Sequence, residues 1–260
     1  MSIQTEKRIP RRLKKEPLLE AVWELRFQSG TDTVENLLSG IIYDKMIGSF
    51  GTPVRLAAAD MPLAARIHQS ILNYTPMFRF DGKGEKAALS LQVAPRAITV
   101  NCRKPYLGWE KFKSEIMLLA DVVWKTGLIT AIERFSLKYI DLVPAAGPDY
   151  TTPLEGKLNL GGHNLGCSPL QLTSQLSEGD FVHVITLLAP ARVQVGVTTA
   201  EGLLVDIDTI LPAGSERFWD RFESLLDQAH GFNHALFFGI LKPEIIEQLE
   251  PEFDLGGMPQ

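Results

Sequence analysis

Tyr106-Leu107-Gly108-Trp109-Glu110-Lys111-Phe112 opens the stretch whose reading decides the fold, and Arg134-Phe135-Ser136-Leu137-Lys138-Tyr139-Ile140-Asp141 closes it. Between them Trp109, Phe112, Ile116, Leu119 and Val123 recur at steps of three and four. That spacing puts all five on one side of an α-helix, a stripe that has to be buried. Gly127 supplies a stop signal. From Ile132 to Val143 the period changes to two, the mark of a two-faced strand. A helix with one greasy side followed by such a strand predicts a helix lying across an antiparallel sheet. The whole stripe is expected to be core, with Trp109→Ala costing about 3–5 kcal/mol.

Upstream, Leu19, Ala21, Trp23, Leu25 and Phe27 alternate with Glu20, Val22, Glu24 and Arg26, which reads as a strand with one apolar and one largely charged face. Val34, Leu37, Leu38 and Ile41 are helix-spaced, with Thr31 or Thr33 as N-cap. Met77-Phe78-Arg79-Phe80, then Leu89 to Val93 and Ile98 to Cys102 are further strands, the last two joined at Ala94-Pro95-Arg96. Downstream, strands are expected at Leu170–Leu176, Phe181–Leu188, Val193–Val197 and Leu203–Ile207, with Phe181–Leu188 central in its sheet. Ser215 is a candidate cap for a helix carrying Phe218, Trp219, Phe222, Leu225 and Leu226, ended or bent near Gly231. A last short helix starts at Pro243.

Leu91–Val100 echoes Leu187–Val195, and Trp109-Glu110-Lys111-Phe112 echoes Trp219-Asp220-Arg221-Phe222, in the same order. The expected fold class is therefore α+β: two antiparallel-sheet halves, each with a long helix packed on its sheet, related by internal duplication. The boundary falls at Pro144-Ala145-Ala146-Gly147-Pro148, giving residues 17–145 and 150–260. Residues 1–16 form a basic lead expected to be solvated and mobile.

A chain of 260 residues, 45% hydrophobic and 22% charged, suits one large domain or two ordinary ones. Its net charge of −5 is uneven: six of the 26 basic residues and one of the 31 acidic ones fall in the first fifteen, leaving a body at −10. An acidic body argues against a phosphate-tracking groove, so nucleic acid is expected only through the basic lead. Two distant cysteines argue for a reducing, cytoplasmic setting without a disulfide framework. No apolar run approaches the roughly 20 residues of a membrane span, so no membrane partner is expected.

Pro17 to Phe27, Tyr106 to Phe112, Arg134 to Leu142, and Leu204-Val205-Asp206-Ile207-Asp208 with His230 and Phe237 together carry a resemblance. They resemble a sporadically distributed family of bacterial proteins of about 250 residues that has no established activity. The resemblance runs from Pro17 to about Phe238 and is most specific in Pro17-Leu18-Leu19-Glu20-Ala21-Val22-Trp23-Glu24-Leu25-Arg26-Phe27. It implies no reaction; patchy distribution is associated with mobile defence or toxin-related genes.

Glu20, Glu24 and Arg26 on the first strand, and Arg134 and Lys138 with Tyr139 and Asp141 on the later one, are the candidate binding residues. If the strands are neighbours, opposite charges meet across the ladder. Asp206 and Asp208 share a strand face and are expected opposite Arg192 and Gln194, although two carboxylates so spaced can help to hold a cation. Asp227, His230 and His234 have one-face helical spacing but lack the Glu of a protease signature. His230 is expected at a helix end, where its cation meets the C-terminal dipole. His163 and Cys167 match no catalytic spacing, and His183 reads as a satisfied core histidine. No phosphate-cradling glycine motif occurs.

The function expected is a non-enzymatic recognition or adaptor protein, homo-oligomeric, without cofactor, binding a protein or small ligand. The alternative is a metal-dependent hydrolase or nuclease using Asp206, Asp208 and His230. A cup for an apolar molecule beneath the Trp109 helix is a further possibility.

Overall fold

A computed structural model describes residues 9–62, 69–145, 149–166, 169–195, 198–213 and 217–253. The chain runs β1 (Arg12–Leu13), β2 (Leu18–Ser29), α1 (Val34–Met46), β3 (Val54–Arg55), β4 (Phe78–Asp81), β5 (Leu89–Ala94), β6 (Ala97–Arg103), α2 (Trp109–Trp124) and β7 (Ile129–Pro144). There follow β8 (Asn159–Leu160), β9 (His163–Asn164), β10 (Leu170–Glu178), β11 (Phe181–Val195), β12 (Thr198–Pro212), α3 (Phe218–Ile240), α4 (Pro243–Gln248) and β13 (Pro251–Glu252).

The protein is α+β, built on one nine-stranded antiparallel sheet of order β10-β11-β12-β7-β2-β6-β5-β4-β3. The sheet expected in each half is thus a single sheet, continuous across the expected boundary through the β7–β12 pair. Residues 146–148 of that boundary lie outside the described residues, as do Cys167 and the Ser215 cap.

Period-two patterning sends Ala21, Trp23, Leu25 and Phe27 of β2 to one side, all fully buried. Over them lie Val34, Leu38, Ile42 and Met46 of α1, Phe112, Ile116, Leu119 and Val123 of α2, and Phe218, Phe222, Leu225 and Leu226 of α3. Leu37, expected in the α1 stripe, is instead exposed, because the buried face follows Val34 in steps of four. Trp109 also departs from expectation. It sits at the first position of α2, partly exposed at the margin of the core. Gly127, at φ +68°, takes the left-handed conformation that ends the helix region. A second core gathers Val143, Ile185, Leu187, Leu203, Val205 and Ile207 beneath Phe237, Phe238, Leu241 and Ile246.

Four further expectations change. β11 continues through Val195 as one strand, interrupted by a register shift between Leu188 and Ala191, so no separate strand begins at Val193. It lies next to the sheet edge and not at its centre. Gly231 does not stop α3, a helix of 23 residues that runs on to Ile240 because Phe237 and Phe238 still have a core to cover. The basic lead is tied down from its second half onward: β1 pairs with β13, and Leu13 is buried in the second core.

Candidate functional site

β7 decides the site geometry. Phe135, Leu137, Tyr139 and Asp141 point toward the helices, and Arg134, Ser136 and Lys138 point to the other face. The residues expected to form one binding surface therefore separate. Glu20, Glu24, Arg26, Arg134 and Lys138 share the face away from the helices, while Tyr139 and Asp141 lie under them.

On that far face the charges pair with one another, although Arg134 Nε and Asp208 Oδ1 are buried without a hydrogen bond. Direct cross-strand pairing sets Arg26 opposite Arg134, a like-charge pair, and each turns to an acid. Arg26 Nε donates to Glu24 at 2.7 Å and its guanidinium lies 4.2 Å from the Tyr74 ring centroid. Arg134 donates to Asp208 at 2.6 Å and approaches Glu24 at 3.7 Å. Lys138 is 3.5 Å from Asp206, and Glu20 accepts from Asn101 at 3.1 Å with Arg103 at 3.5 Å. Asp206 and Asp208 are thus neighbours of Lys138 and Arg134, not of Arg192 and Gln194, which pair with Glu201 and Thr199. This ladder reads as charge-paired structure.

Beneath the helices, burial and hydrogen bonding converge on a polar seam between the two core clusters. α2 and α3 run side by side in opposite directions: Lys113 reaches Asp227 at 2.8 Å, and Trp124 packs on Trp219 at a centroid separation of 4.7 Å. At the opposite end Trp109 stacks on His230, centroids 4.0 Å apart. His230 Nδ1 lies 3.1 Å from the Tyr139 hydroxyl, which lies 3.2 Å from that of Tyr106. Burial pushes the His230 imidazole down to about 3. A neutral ring with its proton on Nε2 accepts at Nδ1, and in that tautomer Tyr139 donates to it and Tyr106 can donate to Tyr139; with the proton on Nδ1 the direction reverses. Burial first, then its neighbours, raises the Tyr139 phenol well above its ordinary value.

One step further along the same face, Asp141 is 6% exposed. Burial, reinforced by the Glu16 carboxylate, raises its carboxyl to about 8, against the opposing pull of Lys104. Its side chain has no hydrogen bond or ion pair among the described residues. Burial likewise raises Glu16, against Arg12 and Lys104. Glu16 stands in the wall of a pocket of about 760 Å³, with Pro17, Lys104, Pro105 and Leu142; Asp141, next to Leu142 in the chain, is not part of that wall. Sequence reasoning singled out Tyr139 and Asp141 but missed Tyr106, Trp109 and Glu16. Trp109 fitted the helix stripe, and Glu16 was masked by the basic run before it.

The Asp206–Asp208–His230 trio does not assemble. The two aspartates project from the far face, and His230 bonds to Tyr139 on the helix face, with the sheet between them. A shared metal is excluded by that placement, and no group of three or more metal-ligating side chains occurs among the described residues. His230 also lies within α3, not at its end, so in place of dipole stabilisation of its cation there is burial that penalises the cation and keeps the ring neutral. Asp227 is held by Lys113, and His234 meets the edge of Phe238. His183 is buried and its Nδ1 lies 3.1 Å from the Thr209 hydroxyl, but its Nε2 is buried without a partner, so the core histidine is only half satisfied. His163 is exposed on the β8–β9 hairpin. No helix among the described residues is long and apolar enough to cross a membrane. No protein-family model matches the chain, and no curated protein matches it.

Proposed function

We propose that this chain is a non-enzymatic recognition or adaptor protein of a bacterial cytoplasm, possessing one small-ligand site on the helix face of the sheet, where Tyr106, Tyr139 and Asp141 lie near the pocket walled by Glu16 and Lys104. The observation that carries the reading is Asp141: a carboxyl only 6% exposed that makes no side-chain hydrogen bond among the described residues, beside a Tyr106–Tyr139–His230 chain. Such a group weakens folding and adds nothing to packing, a pattern characteristic of sites kept for binding. The chemistry favours a small ligand that offers hydrogen-bond donors to Asp141 and Glu16 and a flat face to Tyr106. The charged ladder on the far face, by contrast, has its partners within the chain.

Two related halves belong to the same proposal. Outward from the central β2–β7 pair, β6-β5-β4 on one side matches β12-β11-β10 on the other, each set followed by a long helix. The tryptophan echo agrees with this match. The proline echo does not, since Pro95 lies at a hairpin turn and Pro190 within a strand. A link to defence or toxin-related genes rests on the family resemblance alone.

Native mass spectrometry of the purified full chain tests the site. A small-molecule adduct on the wild type, lost in Tyr139→Phe and Asp141→Asn while both remain folded, is the expected result. A wild type that carries no adduct and takes up no member of a panel of small amines and amides sinks the reading. So does an adduct indifferent to both substitutions.

A further inference from the structure

The two edges of the sheet are built differently. One ends in β3, two residues long, beside β4 with Arg79 and Asp81, the short and charged margin by which sheets avoid adding strands. The other ends in β10, nine residues of Leu-Gln-Leu-Thr-Ser-Gln-Leu-Ser-Glu paired with β11 in unbroken register from Leu170 to Glu178. It has no proline, no bulge and no charge before Glu178. Eight of its nine residues are exposed, among them Leu172 at 37% and Leu176 at 46%. Its outer row of backbone amides and carbonyls has no partner strand among the described residues.

We infer that β10 is a dimerisation edge, pairing antiparallel with β10 of a second copy so that the two nine-stranded sheets become one. The side chains specify the register. Leu172 and Leu176 face the same side, opposite Leu187 and His183 of β11. A twofold axis through Ser174 sets Leu172 of each copy opposite Leu176 of the other, within the 4.5–5.5 Å that cross-strand pairs span. It also sets Thr173 opposite Gln175 and Gln171 opposite Ser177. Moving the axis to Gln175 keeps the faces matched but sets the leucines opposite Glu178 and Ser174, and moving it to Thr173 leaves Leu172 opposite Ser174 and Leu176 opposite Leu170, which is already buried in its own chain. A second copy is the occupant the chemistry favours: an uncharged, self-complementary strip on an otherwise acidic protein is where two like-charged chains can meet without repulsion. The pairing stands independently of the proposed ligand site.

Sedimentation equilibrium of the full chain at micromolar concentration tests it. Twice the chain mass of 28.9 kDa is expected for the wild type. Leu172→Lys combined with Leu176→Lys sets lysines opposite lysines and should weaken the dimer at least tenfold, with circular dichroism unchanged because both positions are exposed. An equimolar mixture of the Leu172→Lys chain and the Leu176→Glu chain should recover dimer that neither forms alone. A monomeric wild type, a dimer indifferent to the paired lysines, or a mixture without recovery overturns the inference.

Discussion

Trp109 lies flat against His230, the two rings 4.0 Å apart at their centroids and 8° from parallel. The stack joins the first turn of α2 to the middle of α3 and shields the imidazole from water. Trp109→Ala should therefore act on both stability and titration. With Trp109 at the margin of the core, the loss should be about 2–3 kcal/mol by urea unfolding, below the cost for a fully buried tryptophan. The His230 titration followed by NMR should move up from about 3 toward its ordinary 6.5. A titration that stays in place would mean that the sheet alone desolvates the ring.

Asp141 should make stability fall as pH rises. Its carboxyl titrates at about 8 in the folded chain and at 3.8 by ordinary behaviour. Between those values the unfolded chain releases a proton that the folded chain retains, so stability present below pH 4 is lost progressively up to about pH 8. Asp141→Asn should remove that slope and stabilise the protein at pH 7 by on the order of 2–4 kcal/mol, with no gain at pH 4. His230 acts in the opposite direction: its lowered value makes stability fall as pH drops from 6.5 toward 3. Thermal unfolding of both proteins across pH 4–9 separates the two.

Arg134→Ala should cost about 2–4 kcal/mol, because it leaves Asp208, whose side chain is 10% exposed and whose Oδ1 already lacks a partner, with only Lys138 at 3.9 Å. Replacing Asp208 by Asn in the same background should restore part of the loss. A double-mutant cycle in urea gives the coupling, and additive effects would show that the 2.6 Å contact contributes nothing.

Asn233 fastens α3 to two strands at once. Its Nδ2 donates to Ile207 O at 2.8 Å and lies 3.2 Å from Leu137 O, with the residue 2% exposed. Asn233→Ala should destabilise by about 2–3 kcal/mol. Amide hydrogen exchange should rise first in the C-terminal half of α3, where the second core holds the helix.

Much of the fold was legible because periodicity is a local property. The α2 stripe, the alternation of β2 and the reach of β7 follow from residue spacing and the helix and strand repeats. The Gly231 expectation failed because a glycine penalty of about 1 kcal/mol is smaller than the burial won by extending α3 over Phe237 and Phe238. Within the site, the sequence names Tyr139 and Asp141 only as members of the same strand as Arg134 and Lys138. Their partners could not be assigned, since Tyr106, Trp109 and Glu16 come from separate segments.

By itself the sequence determined which side chains share a face, because a strand turns over every residue and a helix every 3.6. That rule alone separates Lys138 from Tyr139. Only the tertiary structure decided which faces meet: that Asp206 and Asp208 lie across the sheet from His230, and that Asp141 is buried near Glu16. Those outcomes depend on strand order and on desolvation by distant segments, and neither quantity is written in the spacing of residues along the chain.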